Sequence, residues 1–160
     1  MKEIKIETSL TVFDHFDELP EDVKTLMNKA SDARLKSYSP YSKFSVGAAI
    51  LLENEEIITG SNQENASYPS GLCAERTAIF YAGAMYPDVK IIRMAIIAGS
   101  SLHPTVTPIP PCGACRQSIA EYEVKQEAPI EIYFMGESGK VVKSDSLANL
   151  LPLIFDKSHL

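Results

Sequence analysis

The 160-residue chain predicts an α/β fold: a three-layer α/β/α domain with a mixed β-sheet. Two observations carry that expectation. Apolar residues recur by turns at the helical spacing and at the strand spacing of two, so helices and strands interleave along the chain. An apolar content of 45%, without any internal repeat, low-complexity stretch or linker, suits one domain with a real core.

The elements follow in order. Ile4, Ile6, Thr8, Leu10 and Val12 alternate as an extra strand in an N-terminal extension, residues 1–19, ahead of a single domain over 20–160. Pro20-Glu21-Asp22 starts a helix, with proline and two acids where the first turn favours them, and Val23, Leu26, Met27, Ala30 and Ala33 share one face. Tyr38-Ser39-Pro40-Tyr41 breaks it. Phe44 to Leu52 and Glu56 to Ser61 read as a hairpin around Glu53-Asn54, followed by a loop from Asn62 to Leu72. Cys73 then leads a helix carrying Ala78, Ile79, Ala82 and Met85, and Ile91 to Ala98 reads as a buried strand. Cys112 leads a further helix to about Lys125. Ile130 to Met135 and Lys140 to Val142 flank a turn at Gly139, and Ser146 begins a short C-terminal helix interrupted at Pro152.

Composition narrows the function. The longest apolar run, Val46 to Leu52, is far short of the ~18 residues of a membrane span, and the N-terminus alternates charges instead of building a signal peptide's apolar segment. A soluble, cytoplasmic protein is expected, a compartment that three reduced cysteines fit. A net charge of -6 with no run of Lys or Arg argues against a nucleic-acid partner. Small neutral substrates are favoured.

All three cysteines sit in two segments, Cys73-Ala74-Glu75 and Pro111-Cys112-Gly113-Ala114-Cys115. Both begin at helix N-termini, where unpaired N–H groups and the helix dipole favour thiolate over thiol. Structural zinc is normally closed by four protein ligands; three leave a position for water, whose pKa zinc lowers to about 7. Glu75 would stand beside that position as proton carrier. Cys112-Gly113-Ala114-Cys115 alone would equally suit a redox dithiol, but a dithiol needs neither a third thiol at a helix start nor a glutamate two residues later. Cys73 as a small buried hydrophobe and Glu75 as an ordinary first-turn acid is the other reading, and the joint H-x-E…P-C-x-x-C type of pattern disfavours it. Three thiolates overbalance a divalent ion by one negative charge, so a cation should compensate: Arg76 or Arg116.

Four segments resemble the zinc-dependent cytidine deaminases of the small homotetrameric type: Tyr41-Ser42-Lys43-Phe44-Ser45-Val46-Gly47-Ala48-Ala49, Asn62-Gln63-Glu64-Asn65-Ala66-Ser67-Tyr68, Cys73-Ala74-Glu75-Arg76-Thr77-Ala78, and Pro110-Pro111-Cys112-Gly113-Ala114-Cys115-Arg116-Gln117. The resemblance runs from about Tyr38 to Phe155. It implies the cytidine deaminase-like fold and one zinc ion (Zn2+) per chain held by Cys73, Cys112 and Cys115, with Glu75 as proton shuttle and Arg76 offsetting thiolate charge. It further implies that Asn62 and Glu64 hold the ribose hydroxyl, that Phe44 contacts the pyrimidine, that Ala74 lies at the substrate, and that Phe155 reaches the base in a neighbouring subunit's site. Read from their residue types alone, Asn62 and Glu64 would instead be hydrogen-bonded turn residues. Tyr68-Pro69-Ser70-Gly71-Leu72 departs from the commoner family wording, and the segment before Pro20 has no counterpart.

The implied reaction is hydrolytic deamination of cytidine and deoxycytidine to uridine and deoxyuridine, with a related nucleoside or nucleotide as the alternative substrate. A deaminase acting on tRNA or single-stranded DNA would share the zinc logic but should carry a basic channel, which this acidic chain lacks. A non-catalytic zinc or redox module would be indifferent to neutralising Glu75.

Overall fold

A computed structural model describes all residues, 1–160, and shows a six-stranded mixed sheet between α1 (Glu21–Arg34) on one face and α2 (Ala74–Met85) and α3 (Gly113–Gln126) on the other. The strands are β1 (Thr11–Phe13), β2 (Phe44–Leu52), β3 (Ile57–Ser61), β4 (Ile91–Ser100), β5 (Glu131–Met135) and β6 (Val141–Ser144). They lie in the order β1-β6-β5-β4-β2-β3, antiparallel throughout except for the β4–β5 pair.

Period-two alternation divides the strands between two cores. Ala48, Ile50 and Leu52 of β2, Met94 and Ile96 of β4, and Ile132 and Phe134 of β5 pack under α2 and α3. Ala49, Ala95, Ile97, Tyr133 and Met135 pack under α1, whose Val23, Leu26, Met27, Ala30 and Ala33 are all buried as its periodicity predicts.

This topology places the chemistry. β3 and β4 both run antiparallel to β2, so they are parallel to each other and α2 is their crossover; α3 is the crossover between β4 and β5. Two crossovers of the same hand, stepping the same way across the sheet, put both helices on one face with their N-termini at the carboxyl ends of the strands. Gly60 lets α2 come close: a Cβ there would lie 2.6 Å from both Ala74 O and Ala78 N.

Two expectations are corrected, over residues 4–12 and at the C-terminal helix, and one side chain of α2 faces outward. The strand expected over residues 4–12 pairs only from Thr11, because β6 supplies partners only for Thr11, Val12 and Phe13; Ile4, Ile6 and Leu10 are exposed, since alternation without a partner strand makes no ladder. Met85 is 55% exposed, because α2 ends there and Tyr86, next in the chain, packs against the core instead. The C-terminal helix is one 3-10 turn, Leu147–Asn149. Ser146 caps it by accepting from the Ala148 N–H at 3.1 Å, and the Glu123 carboxylate takes the Leu147 N–H at 2.9 Å.

Candidate active site

Cys73 and Cys112 stand as N-caps of α2 and α3, and Cys115 lies in the first turn of α3. Both cap carbonyls are used at once, the Thr77 N–H donating to Cys73 O at 3.0 Å and the Arg116 N–H to Cys112 O at 2.9 Å. The sulfurs therefore project from two rigid helix starts.

No disulfide joins the three thiols, and their sulfurs lie within 4.8 Å of one another, Cys73 and Cys112 at 3.9 Å. Four-coordinate tetrahedral zinc with bonds of about 2.3 Å separates its sulfurs by about 3.8 Å. The donor set fits zinc, with three protein ligands. Proton affinities among the thiols diverge: Cys73 is lowered to about 5, first by a hydrogen bond from Cys115 and also by Arg76, while Cys115 is pushed up by that same bond and by its burial. Arg76 Nη2 donates to Cys73 Sγ at 3.7 Å. Arg116 does not compete: its Nε and Nη1 donate to the Pro111 and Leu150 carbonyls at 2.8 and 2.9 Å, bracing the loop before α3 and the C-terminal turn.

Glu75 is 4% exposed, and burial pushes its carboxyl above the usual carboxylate range. It opens, with Cys73, Cys112 and Arg76, onto a cleft of about 700 Å³, a volume suited to a small organic ligand. Phe44, Asn62 and Glu64 line the same cleft. Tyr41, Ser42, Tyr68, Ile109 and Pro110 also line it; they fall within or beside the resembling segments, but residue type alone assigns them no role.

The two polar loop residues are already occupied. Asn62 Oδ1 accepts the Val46 N–H at 2.8 Å and its Nδ2 donates to Phe44 O at 2.9 Å, so the amide clamps the start of β2 and keeps one donor hydrogen and one acceptor lone pair free. Glu64 Oε2 accepts the Tyr41 and Ser42 N–H groups at 2.9 and 3.3 Å, and its Oε1 accepts the Ser42 hydroxyl. These bonds reach 16 to 23 positions along the chain, so both residues tie distant segments together and are not local turn residues. Ala74 is fully buried behind the cleft wall, against Gly60. Phe155 is outside the cleft: it is 60% exposed, stacks on His159 at 5.4 Å, and its carbonyl accepts from Gln117 Nε2 at 2.8 Å.

Residues 20–128 match the family described as the cytidine and deoxycytidylate deaminase zinc-binding region. The chain is 39% identical over 136 residues to a cytidine deaminase of Halalkalibacterium halodurans, covering 84% of this chain and 94% of that one. It is also 39% identical over 140 residues to one of Sporosarcina psychrophila, covering 87% and 95%. The crystal structure of a cytidine deaminase from Burkholderia pseudomallei superposes with a TM-score of 0.71 at 35% identity, covering 86% of this chain and all of that one.

Proposed function

The chain belongs to the cytidine and deoxycytidylate deaminase family, and from that premise we propose that it hydrolyses cytidine and deoxycytidine to uridine and deoxyuridine with release of ammonia. One observation carries the reading: three thiols converge from two helix starts, and two of them, Cys73 and Cys112, line one cleft together with the buried Glu75 carboxylate.

Cys73, Cys112 and Cys115 would hold zinc, which when bound would supply a water of lowered pKa and Lewis-acid polarisation. The protein does the rest. Glu75 accepts a proton from the water attacking C4 and passes it to ring N3; the water's second proton travels by the same carboxylate to the 4-amino group, which leaves as ammonia. Its burial excludes bulk water from that transfer. Arg76, hydrogen-bonded to Cys73, offsets the surplus thiolate charge. Phe44 packs on the pyrimidine, and Asn62 and Glu64 receive the ribose hydroxyls through the capacity their bonds within the chain leave free.

A nucleoside suits this cleft better than a nucleotide. Arg76 is its only cationic lining residue and is engaged by Cys73, so the cleft lining offers a phosphate no free cation. The exposure of Phe155 outside its own cleft supports the reading that it completes the site of a neighbouring chain in a homotetramer with one zinc per chain. Residues 20–160 act as one catalytic domain, with residues 1–19 as an extension lending β1 to the sheet edge. No helix is long and apolar enough to cross a membrane, and three free thiols fit the reducing cytoplasm.

The test measures ammonia release from cytidine, deoxycytidine, CMP and adenosine alongside zinc content. Turnover of the first two with about one zinc per chain is expected; full activity in protein stripped of metal, or preference for CMP or adenosine, would reject the reading.

A further inference from the structure

Three residues of the cleft wall are linked through a single hydroxyl. The Phe44 N–H donates to Ser42 Oγ at 3.0 Å, and Ser42 Oγ in turn donates its proton to Glu64 Oε1. Lys43 between them adopts a left-handed conformation, φ 57°, which folds the chain back so that Phe44 can reach the hydroxyl two residues earlier. From the carboxylate's side, an ionised Glu has about four acceptor positions. The Tyr41 N–H, the Ser42 N–H and the Ser42 hydroxyl fill three, so about one remains for a ligand.

We infer that Ser42 is a positioning residue that couples sugar recognition to the seating of the base. It orients the Glu64 carboxylate so that its one unfilled acceptor position meets a ribose hydroxyl, and it fixes Phe44 through the same oxygen. The inference rests on the reading of Glu64 as the ribose acceptor and Phe44 as the pyrimidine contact. Donor and acceptor roles run in one direction, from Phe44 N–H through the Ser42 hydroxyl to Glu64, a chain in which each bond polarises the next. The bond from Ser42 is also the foremost influence holding the Glu64 carboxyl below its usual range, which keeps that group ionised and acceptor-only at neutral pH. Such an acceptor favours a sugar that offers a hydroxyl proton over one that lacks it.

The test compares cytidine with 2′,3′-dideoxycytidine in zinc-loaded wild-type protein and in Ser42→Ala, Ser42→Thr, Glu64→Gln and the Ser42→Ala/Glu64→Gln double variant. Ser42→Ala should raise KM for cytidine by roughly 10- to 150-fold, the range a lost hydrogen bond to a charged group carries, with kcat changed far less. Discrimination against the dideoxy substrate should shrink with it, and Ser42→Thr, which keeps the hydroxyl, should restore most of both. Adding Ser42→Ala to Glu64→Gln should cost much less than it does alone, because the two act as one unit. If Glu64→Gln removes sugar discrimination while Ser42→Ala leaves it intact, the positioning role is overturned and the ribose reading stands. If Glu64→Gln itself leaves discrimination unchanged, the ribose reading falls and takes the inference with it. A Ser42→Ala protein that loses zinc or melts early, unrelieved by Ser42→Thr, marks a structural residue and also overturns it.

Discussion

Gly60→Ala should damage the metal centre from the opposite side of α2. Its Cβ would lie 2.6 Å from Ala74 O and Ala78 N, where ordinary contact begins at 3.4 Å. Both obstructing atoms are backbone and cannot rotate away, so the first turn of α2 must retreat from β3 by about 0.8 Å, the difference between those two distances, or the strand must deform. That turn carries Cys73 and Glu75, and a bound zinc tolerates only about 0.2 Å of ligand displacement. Overpacking of this kind costs about 1–3 kcal/mol, and each kcal/mol lowers the melting temperature of a chain this size by about 2–4 °C, so a drop of roughly 2–12 °C is expected. kcat/KM should fall by about 100-fold, the penalty for misplacing a reacting group by 1 Å. The assay is thermal melting at fixed protein concentration, with zinc content and cytidine turnover measured on the same samples. Gly113→Ala, at the start of α3, is the control: a Cβ there meets nothing within 4 Å, so the substitution should leave stability unchanged or raise it by up to ~1 kcal/mol. Equal effects of the two substitutions, or wild-type melting and zinc content in Gly60→Ala, would refute the close-approach argument.

Glu75→Gln keeps the shape of the side chain and removes the proton carrier, so zinc content should hold while turnover falls by about 10²–10⁴; near-normal turnover in a zinc-loaded variant would refute the role. Acid stability follows from Arg93, which bonds Asp22 and Glu131 at 2.7 Å each. The Arg93 bond holds Asp22 below its usual 3.8; burial alone would raise Glu131, but bonds from Lys143 and Arg93 outweigh it and hold that carboxyl below 4.5. A depressed carboxyl contributes stability that is complete above its unfolded pKa and lost as pH falls through the folded one. Arg93→Met should therefore destabilise at neutral pH and flatten the decline below about pH 4.5, read as urea midpoints from pH 7 to pH 3; parallel profiles would count against the linkage. Mixing Glu75→Gln chains with Phe155→Ala chains should restore activity above either parent if Phe155 serves a neighbour's site, because some mixed sites regain both groups. No recovery despite proven subunit exchange, or a fully active monomer, would reject trans assembly.

The elements legible in the sequence were those whose signals are local. Pro20 and the acids after it mark the start of α1, and the spacing of Val23, Leu26, Met27, Ala30 and Ala33 marks its buried face. Cys73 and Cys112 announce helix starts, and together with Cys115 and Glu75 they announce a three-thiol metal chemistry whose sulfurs do converge. Each of these signals lies within a turn or two of chain, where backbone hydrogen bonding and side-chain period act directly.

What depended on partners distant in the chain was decided only by the tertiary structure. The alternation from Ile4 to Val12 pairs over just three residues, because β6 is short and no local pattern reports the length of a partner. Arg116 competes in the sequence with Arg76, the nearer candidate; packing sends Arg76 to Cys73 and Arg116 to Pro111 and to Leu150, the latter 34 positions away. The amide of Asn62 clamps β2 across 16 and 18 positions, and Ser42 reaches a carboxylate 22 positions later. Composition and period determine which segments form helices and strands and which side chains face a core. The meeting of three sulfurs, and the filling of a carboxylate's acceptor positions until about one remains, follow from crossovers and backbone approaches that close only when the whole sheet is assembled.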